Sequence, residues 1–341
     1  MPHDAGAAEP FVVSAFYLFA RIESPETLRK TLLRLVGRFN ILGTMLVAPE
    51  GINGTVAGAR RETDQLFDAI REDPRLRNLQ TKESYCAEAP FLRAKVKLKK
   101  EIVTMGQPDL DPVHDAGKYV APEDWNALIQ DPSVMLIDTR NDYEVEVGTF
   151  QGALNPETQS FRDFPDYAAR TLPANKDQKI AMFCTGGIRC EKSTAYLKSQ
   201  GYSEVYHLDG GILKYLETVP KAESLWQGAC FVFDERVAVD HDLQPAGYTQ
   251  CHACRRPLTE TDLRLASYTQ GLSCRYCIGQ LTSDQQARFA EREKQVQLAK
   301  ARGEAHIGDA ARTDQEKRKA RKVARKHAQS TPPGAQNDLP E

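Results

Sequence analysis

Along the first hundred residues the apolar positions switch between a period near two and a period near 3.6, the mark of strands alternating with helices. Phe11-Val12-Val13-Ser14-Ala15-Phe16-Tyr17 is rich in aromatic and β-branched residues and reads as a strand. Ser24 then reads as an N-cap with Pro25 at the first helical position, and Leu28, Leu32, Leu35, Val36 and Phe39 recur at helical spacing. Strands over residues 41–47 and 52–57 flank Pro49-Glu50-Gly51, whose proline and glycine suit a tight hairpin. Leu66 and Ile70 mark a second helix, and residues 94–103 alternate as a final strand. The order β-α-β-β-α-β predicts a ferredoxin-like, acylphosphatase-like α+β domain over residues 10–106.

Residues 107–118 carry proline, aspartate and glycine without periodicity and read as a linker. From 119 to 222 the short apolar runs Val134-Met135-Leu136-Ile137, Lys179-Ile180-Ala181-Met182-Phe183 and Val205-Tyr206-His207-Leu208 alternate with helical segments. That pattern predicts an α/β domain with a buried parallel sheet, so the chain as a whole is expected to be α/β multidomain. Residues 223–285 bear paired cysteines, 286–328 form a charged helical tail, and 329–341, with Pro332-Pro333-Gly334, are expected to be disordered.

The formal net charge is only -2, but its distribution is uneven. Lys317, Arg318, Lys319, Arg321, Lys322, Arg325 and Lys326 crowd one short stretch, either as a solvated helix face or as candidate RNA contacts. No apolar run approaches the ~20 residues that span a bilayer. The chain also opens without a basic segment followed by an apolar one, so a cytoplasmic location and reduced cysteines are expected.

Two cysteine patterns carry chemistry. Cys184 follows an apolar strand and opens the loop Cys184-Thr185-Gly186-Gly187-Ile188-Arg189, after which a helix begins. Backbone N–H groups and the positive end of the helix converge on such a loop, glycines let several amides point inward, and Arg189 adds a full charge; all three favour a thiolate. The plainer alternative is a small buried cysteine ending a strand. Cys190, one turn further, is expected to point away from Cys184, as a packed residue or a resolving thiol. Asp138, Arg140 and Glu144 are expected to brace the loop through hydrogen bonds and ion pairs. Further on, Cys251, Cys254, Cys274 and Cys277 form C-x2-C-x19-C-x2-C, the spacing of a structural zinc site. His252, between the first pair, reads as a surface residue. No Gly-x-Gly-x-x-Gly fingerprint, flavin or nicotinamide motif, or His/carboxylate iron site is evident.

Asp138-x-Arg140-x-x-x-Glu144, Gly148-Thr149-Phe150-Gln151-Gly152-Ala153, the cysteine loop and Leu208-Asp209-Gly210-Gly211 together resemble the rhodanese superfamily, with Thr149 where a histidine is usual. Adding Ala48-Pro49-Glu50-Gly51-Ile52-Asn53-Gly54-Thr55, Lys99-Lys100-Glu101-Ile102-Val103 and the continuation Cys190-Glu191-Lys192, the chain resembles the rhodanese-like tRNA uridine 5-hydroxylases from about Phe11 to Leu281. The resemblance implies oxygen-dependent conversion of the wobble uridine of tRNA to 5-hydroxyuridine. It also implies Cys184 as the catalytic thiol, molecular oxygen as co-substrate and an unidentified electron donor. One route has the thiolate adding to C6 of uracil, with Arg189 and the loop amides stabilising charge on a ring carbonyl. Two other readings compete: a sulfurtransferase carrying a Cys184 persulfide, and a non-catalytic, zinc-containing RNA-binding protein. A thiol turned from its amides, or sealed from solvent, would count against both enzymatic readings.

Overall fold

The computed structural model describes residues 10–303. Its first element, β1 (Phe11–Phe19), is followed by α1 (Pro25–Arg38), β2 (Leu42–Ala48), β3 (Gly51–Gly58), α2 (Arg60–Arg71), β4 (Thr81–Cys86) and β5 (Ala94–Leu98). The sheet order is β4-β1-β3-β2-β5, and all neighbours are antiparallel except β2 and β5. Both helices bury their apolar stripes on one face of this sheet, where Leu28, Leu32, Val36, Leu66 and Ile70 pack with Phe16, Met45 and Val56. Pro49 and Glu50 form the two-residue hairpin loop expected of them, closed by the Ala48 and Gly51 pair.

The ferredoxin-like topology stands, but its last strand is not where the alternation places it. Thr81–Cys86 takes that role on β1, while Ala94–Leu98 is an additional strand parallel to β2 on the opposite edge, and residues 99–103 lie outside the sheet. The strand Thr-Lys-Glu-Ser-Tyr-Cys escapes a pattern search because neither of its faces is continuously apolar.

Next come α3 (Pro112–Asp115), β6 (Lys118–Val120), α4 (Pro122–Ile129), β7 (Val134–Asp138), α5 (Asp142–Val145), β8 (Gly148–Phe150), α6 (Phe164–Thr171), β9 (Lys179–Phe183), α7 (Ile188–Ser199), β10 (Val205–Leu208) and α8 (Gly211–Thr218). Four of the strands make a parallel sheet in the order β6-β10-β9-β7. The presumed linker is partly ordered: α3 lies within it, and the Gly117 N–H donates to Thr194 Oγ1 on α7 at 2.8 Å. One strand beyond residue 222 packs back on this domain. The strand β11 (Trp226–Gly228) pairs with β8, and Trp226 stacks edge-on against Phe150 and Phe183 in the core.

Short pairs β12 (Cys230–Phe231) with β13 (Ala238–Val239) and β14 (Thr249–Gln250) with β15 (Pro257–Leu258), then α9 (Glu260–Leu263), carry the paired cysteines. The described residues up to Gln280 form one compact unit. A second begins at Leu281 and contains α10 (Ser283–Ala301), capped by Thr282 and Gln285. The basic run from Lys317 to Lys326 and the tail beyond lie outside the described residues. No described helix is long and apolar enough to cross a membrane.

Candidate active site

Cys184 stands where β9 ends, and the loop to α7 turns through Gly187, whose φ of 99° is a left-handed value that a side chain disfavours. The Gly187 N–H donates to Cys184 Sγ at 3.1 Å. Burial opposes ionisation of this thiol. A hydrogen bond from the Cys190 thiol, the Arg189 charge and the N–H groups of Cys190 and Arg189 outweigh it, and the pKa falls to about 5. Cys190 therefore does not point away: it faces the same sulfur, lies 3.6 Å from Thr139 Oγ1, and is itself pushed well up by burial and the neighbouring thiolate. Helix geometry explains the difference, since a first-turn side chain leans back toward the loop before it.

Behind the loop two ion pairs form a rigid frame. Arg189 clamps Glu144 with two bonds of 2.7 Å, and Arg140 clamps Asp138 at 2.9 and 2.6 Å while also donating to the Gly148 carbonyl. The Arg189 charge outweighs the burial of Glu144 and holds its carboxyl below the usual range. Thr149, in the histidine position, donates to Asp138 at 2.8 Å. Arg189 lines the cavity with two of its N–H groups committed to Glu144, so it reaches the site as a held positive charge. Thr185, Gly186 and Ile188 complete the loop, and the Ile212 and Leu213 N–H groups donate to the Cys184 and Thr185 carbonyls. A Cβ on Gly211 would lie 2.5 Å from the Cys184 oxygen, so the Gly-Gly turn is needed to let backbone meet backbone.

Cys184 is only 1% exposed, because something lies over it that no pattern in the chain announces. The open face of the N-terminal sheet, the face without helices, roofs the loop and borders a half-open cavity of about 420 Å3 lined by Cys184, Thr185, Gly186, Tyr17, Lys82 and Thr55 among others. At 1% exposure Cys184 does not meet the condition of solvent access set above: the residue borders the cavity but presents almost no surface to it, which counts against the enzymatic readings in this conformation. Three residues of this region were missed. Tyr17 donates to Glu191 at 2.7 Å, and the Lys82 ammonium lies 4.8 Å from the centre of the Tyr17 ring. Burial raises the pKa of Glu191 and lowers that of Lys82, the latter against the pull of Cys184, Asp209 and Glu191. Only contact across the domains makes these residues a group, and separations above sixty residues leave no local signal.

The roof is fastened by a buried trio. Lys192 lies 2.8 Å from Glu50 and 2.6 Å from Glu101, Glu50 also accepts from the Ile102 N–H, and Asn53 donates to the Ile102 carbonyl. The three motifs quoted above, around Glu50, Glu101 and Lys192, meet at this point.

In the C-terminal part of the same unit, the sulfurs of Cys251, Cys254, Cys274 and Cys277 all lie within 4.8 Å of one another. Contacts of 4.0, 3.6 and 3.8 Å match the edge of about 3.8 Å that a tetrahedron with metal–sulfur bonds near 2.3 Å requires. The four fit a metal such as zinc, and the exposed His252 is outside the group.

Residues 11–102 match the family described as the UPF0176 acylphosphatase like domain, and residues 121–218 match the rhodanese-like domain family. Among solved structures, the rhodanese-like domain of an Anabaena protein is 18% identical, over 32% of this chain and 78% of that one, with a TM-score of 0.27. A rhodanese-like domain protein from Staphylococcus aureus is 22% identical, over 29% and 90%, with a TM-score of 0.25. With an acylphosphatase-like domain leading into a rhodanese-like one, the chain has the architecture of the UPF0176 rhodanese family.

Proposed function

We propose that the protein hydroxylates C5 of the wobble uridine in tRNA, with oxygen as co-substrate and Cys184 as nucleophile. The observation that carries this reading is a thiol with a depressed pKa, cradled by the Gly187 N–H and bordering a cavity lined by residues of two domains. Sites for small ligands occupy roughly 300–1,000 Å3, and a half-open cavity of about 420 Å3 suits one extruded base. In the reaction, the Cys184 thiolate adds to C6 and C5 gains carbanion character. Oxygen supplies one atom to C5, a two-electron donor takes the other to water, and loss of the C5 proton with expulsion of the thiolate restores the ring. Lys82 lines the same space as Arg189, and we assign both to stabilising charge on the ring carbonyl. The four-cysteine cluster would hold a structural zinc, with no open position needed for catalysis.

The test is nucleoside mass spectrometry of tRNA from cells lacking the gene, complemented with wild type or Cys184→Ser. The reading expects 5-hydroxyuridine to return only with wild type. A Cys184 persulfide with thiosulfate:cyanide transfer and no change in the nucleoside would replace it with sulfur transfer, which the same loop amides would also support.

A further inference from the structure

The register of the N-terminal sheet places five side chains in one row across its open face. Lys82 pairs with Ala15, Ala15 with Thr55, Thr55 with Thr44, and Thr44 with Lys95. A second row runs through Tyr17, Asn53, Leu46 and Lys97. Directly paired residues share a face, so Lys95 and Lys97 lie on the side that roofs the thiol, next to the cavity-lining Thr44 and Leu46.

The β5 edge is strongly basic. Arg93, Lys95, Lys97, Lys99 and Lys100 follow one another, and all but Lys95 are exposed. None of them forms an ion pair among the described residues. Lys95 feels partial burial and then the like charges of Arg93, Lys97 and Arg255, with no carboxylate among its neighbours to compensate. A cluster of cations held together without acids lacks an anion, and its partner is expected to bring phosphates in series. Four strand spacings of about 4.8 Å put Lys95 roughly 19 Å from Lys82, close to the rise of five stacked nucleotides at about 3.4 Å each. Between the ends Ala15, Thr55 and Thr44 are small and line the half-open cavity, so a strand entering from the β5 edge meets little side-chain bulk.

We propose that this open sheet face is the track for the RNA strand, with phosphates beside the target nucleotide held by Arg93, Lys95 and Lys97 while the base reaches Cys184 under Lys82. The inference rests on the tRNA reading above and adds the surface that would do the binding. RNA is favoured over an acidic polypeptide because the row runs from the basic β5 edge into the half-open cavity beside Cys184, and single-stranded loops give up a base cheaply.

The experiment uses the full chain with charge-reversing Lys95→Glu/Lys97→Glu, and a control, Lys30→Glu/Arg34→Glu, on α1, which packs on the sheet's other face. Binding to a synthetic anticodon stem-loop is measured against salt, alongside the rate at which iodoacetamide alkylates Cys184. The track expects at least a tenfold loss of affinity in the β5 variant only, a shallower salt dependence by about one charge or more, and unchanged alkylation. Equal binding by both variants, or competition by poly-glutamate as strong as that by RNA, overturns the track and leaves the hydroxylase reading standing. Absence of stem-loop binding by wild type overturns both.

Discussion

The thiol loop and the four-cysteine cluster use the same side chain to opposite ends. At Cys184 one sulfur faces a backbone N–H, a second thiol and a clamped arginine, so its charge is stabilised but not consumed. At Cys251, Cys254, Cys274 and Cys277 the sulfurs face one another, so any stabilising charge has to come from an ion they surround. Reactivity therefore depends on what else converges on the sulfur. A lone thiolate among fixed donors is kept for a reaction, and four together are spent on a bond.

The comparison breaks most visibly with Cys184→Ser, which should lower hydroxylation by on the order of 10^3-fold or more while leaving metal content intact, measured by nucleoside and metal mass spectrometry. Cys254→Ser, or a strong chelator, should do the reverse: metal is lost and the melting temperature falls, but alkylation of Cys184 keeps its rate. Glu144→Gln leaves Arg189 buried without its partner and should cost about 3–5 kcal/mol in urea unfolding. It should also change the alkylation profile of Cys184, which no change at the metal cluster should do. Lys82→Met should cut turnover by roughly 10–1,000-fold with little loss of stability; a full-rate Lys82→Met would remove that lysine from the mechanism.

The smallest effect concerns pH. The Cys184 pKa is depressed from 9.0 to about 5 by the fold. Its contribution to stability is therefore fully present above the unfolded value near 9 and is lost as pH falls through about 5. Alkylation should follow the same transition, with a midpoint near 5, and Cys190→Ala should move that midpoint upward by removing a hydrogen-bond donor.

What could be read in the chain was local. Apolar periodicity found α1, β2, β3 and the three main strands of the parallel sheet, and the glycine loop located the thiol, because each depends on neighbours a few residues apart. The strand β4 was missed since its inner face serves the cavity and is polar at Lys82 and Ser84, which masks the alternation. Cys190 was misdirected by a sequence view that ignores how helical side chains lean back. The clamp of Arg189 on Glu144, 45 residues away, is a tertiary fact that spacing alone does not specify. Glu50, Glu101 and Lys192 sat inside quoted motifs, yet their reason for being there appears only when the two domains meet.

That buried trio makes the two domains inseparable in practice. Lys192 has no solvent to fall back on, and each of its acids comes from the other domain. A rhodanese-like half cut free would expose a lysine shaped for partners it no longer has, and transplanting the cysteine loop to another scaffold would deliver the nucleophile without its ceiling. The smallest portable piece of this chemistry is the pair of domains together.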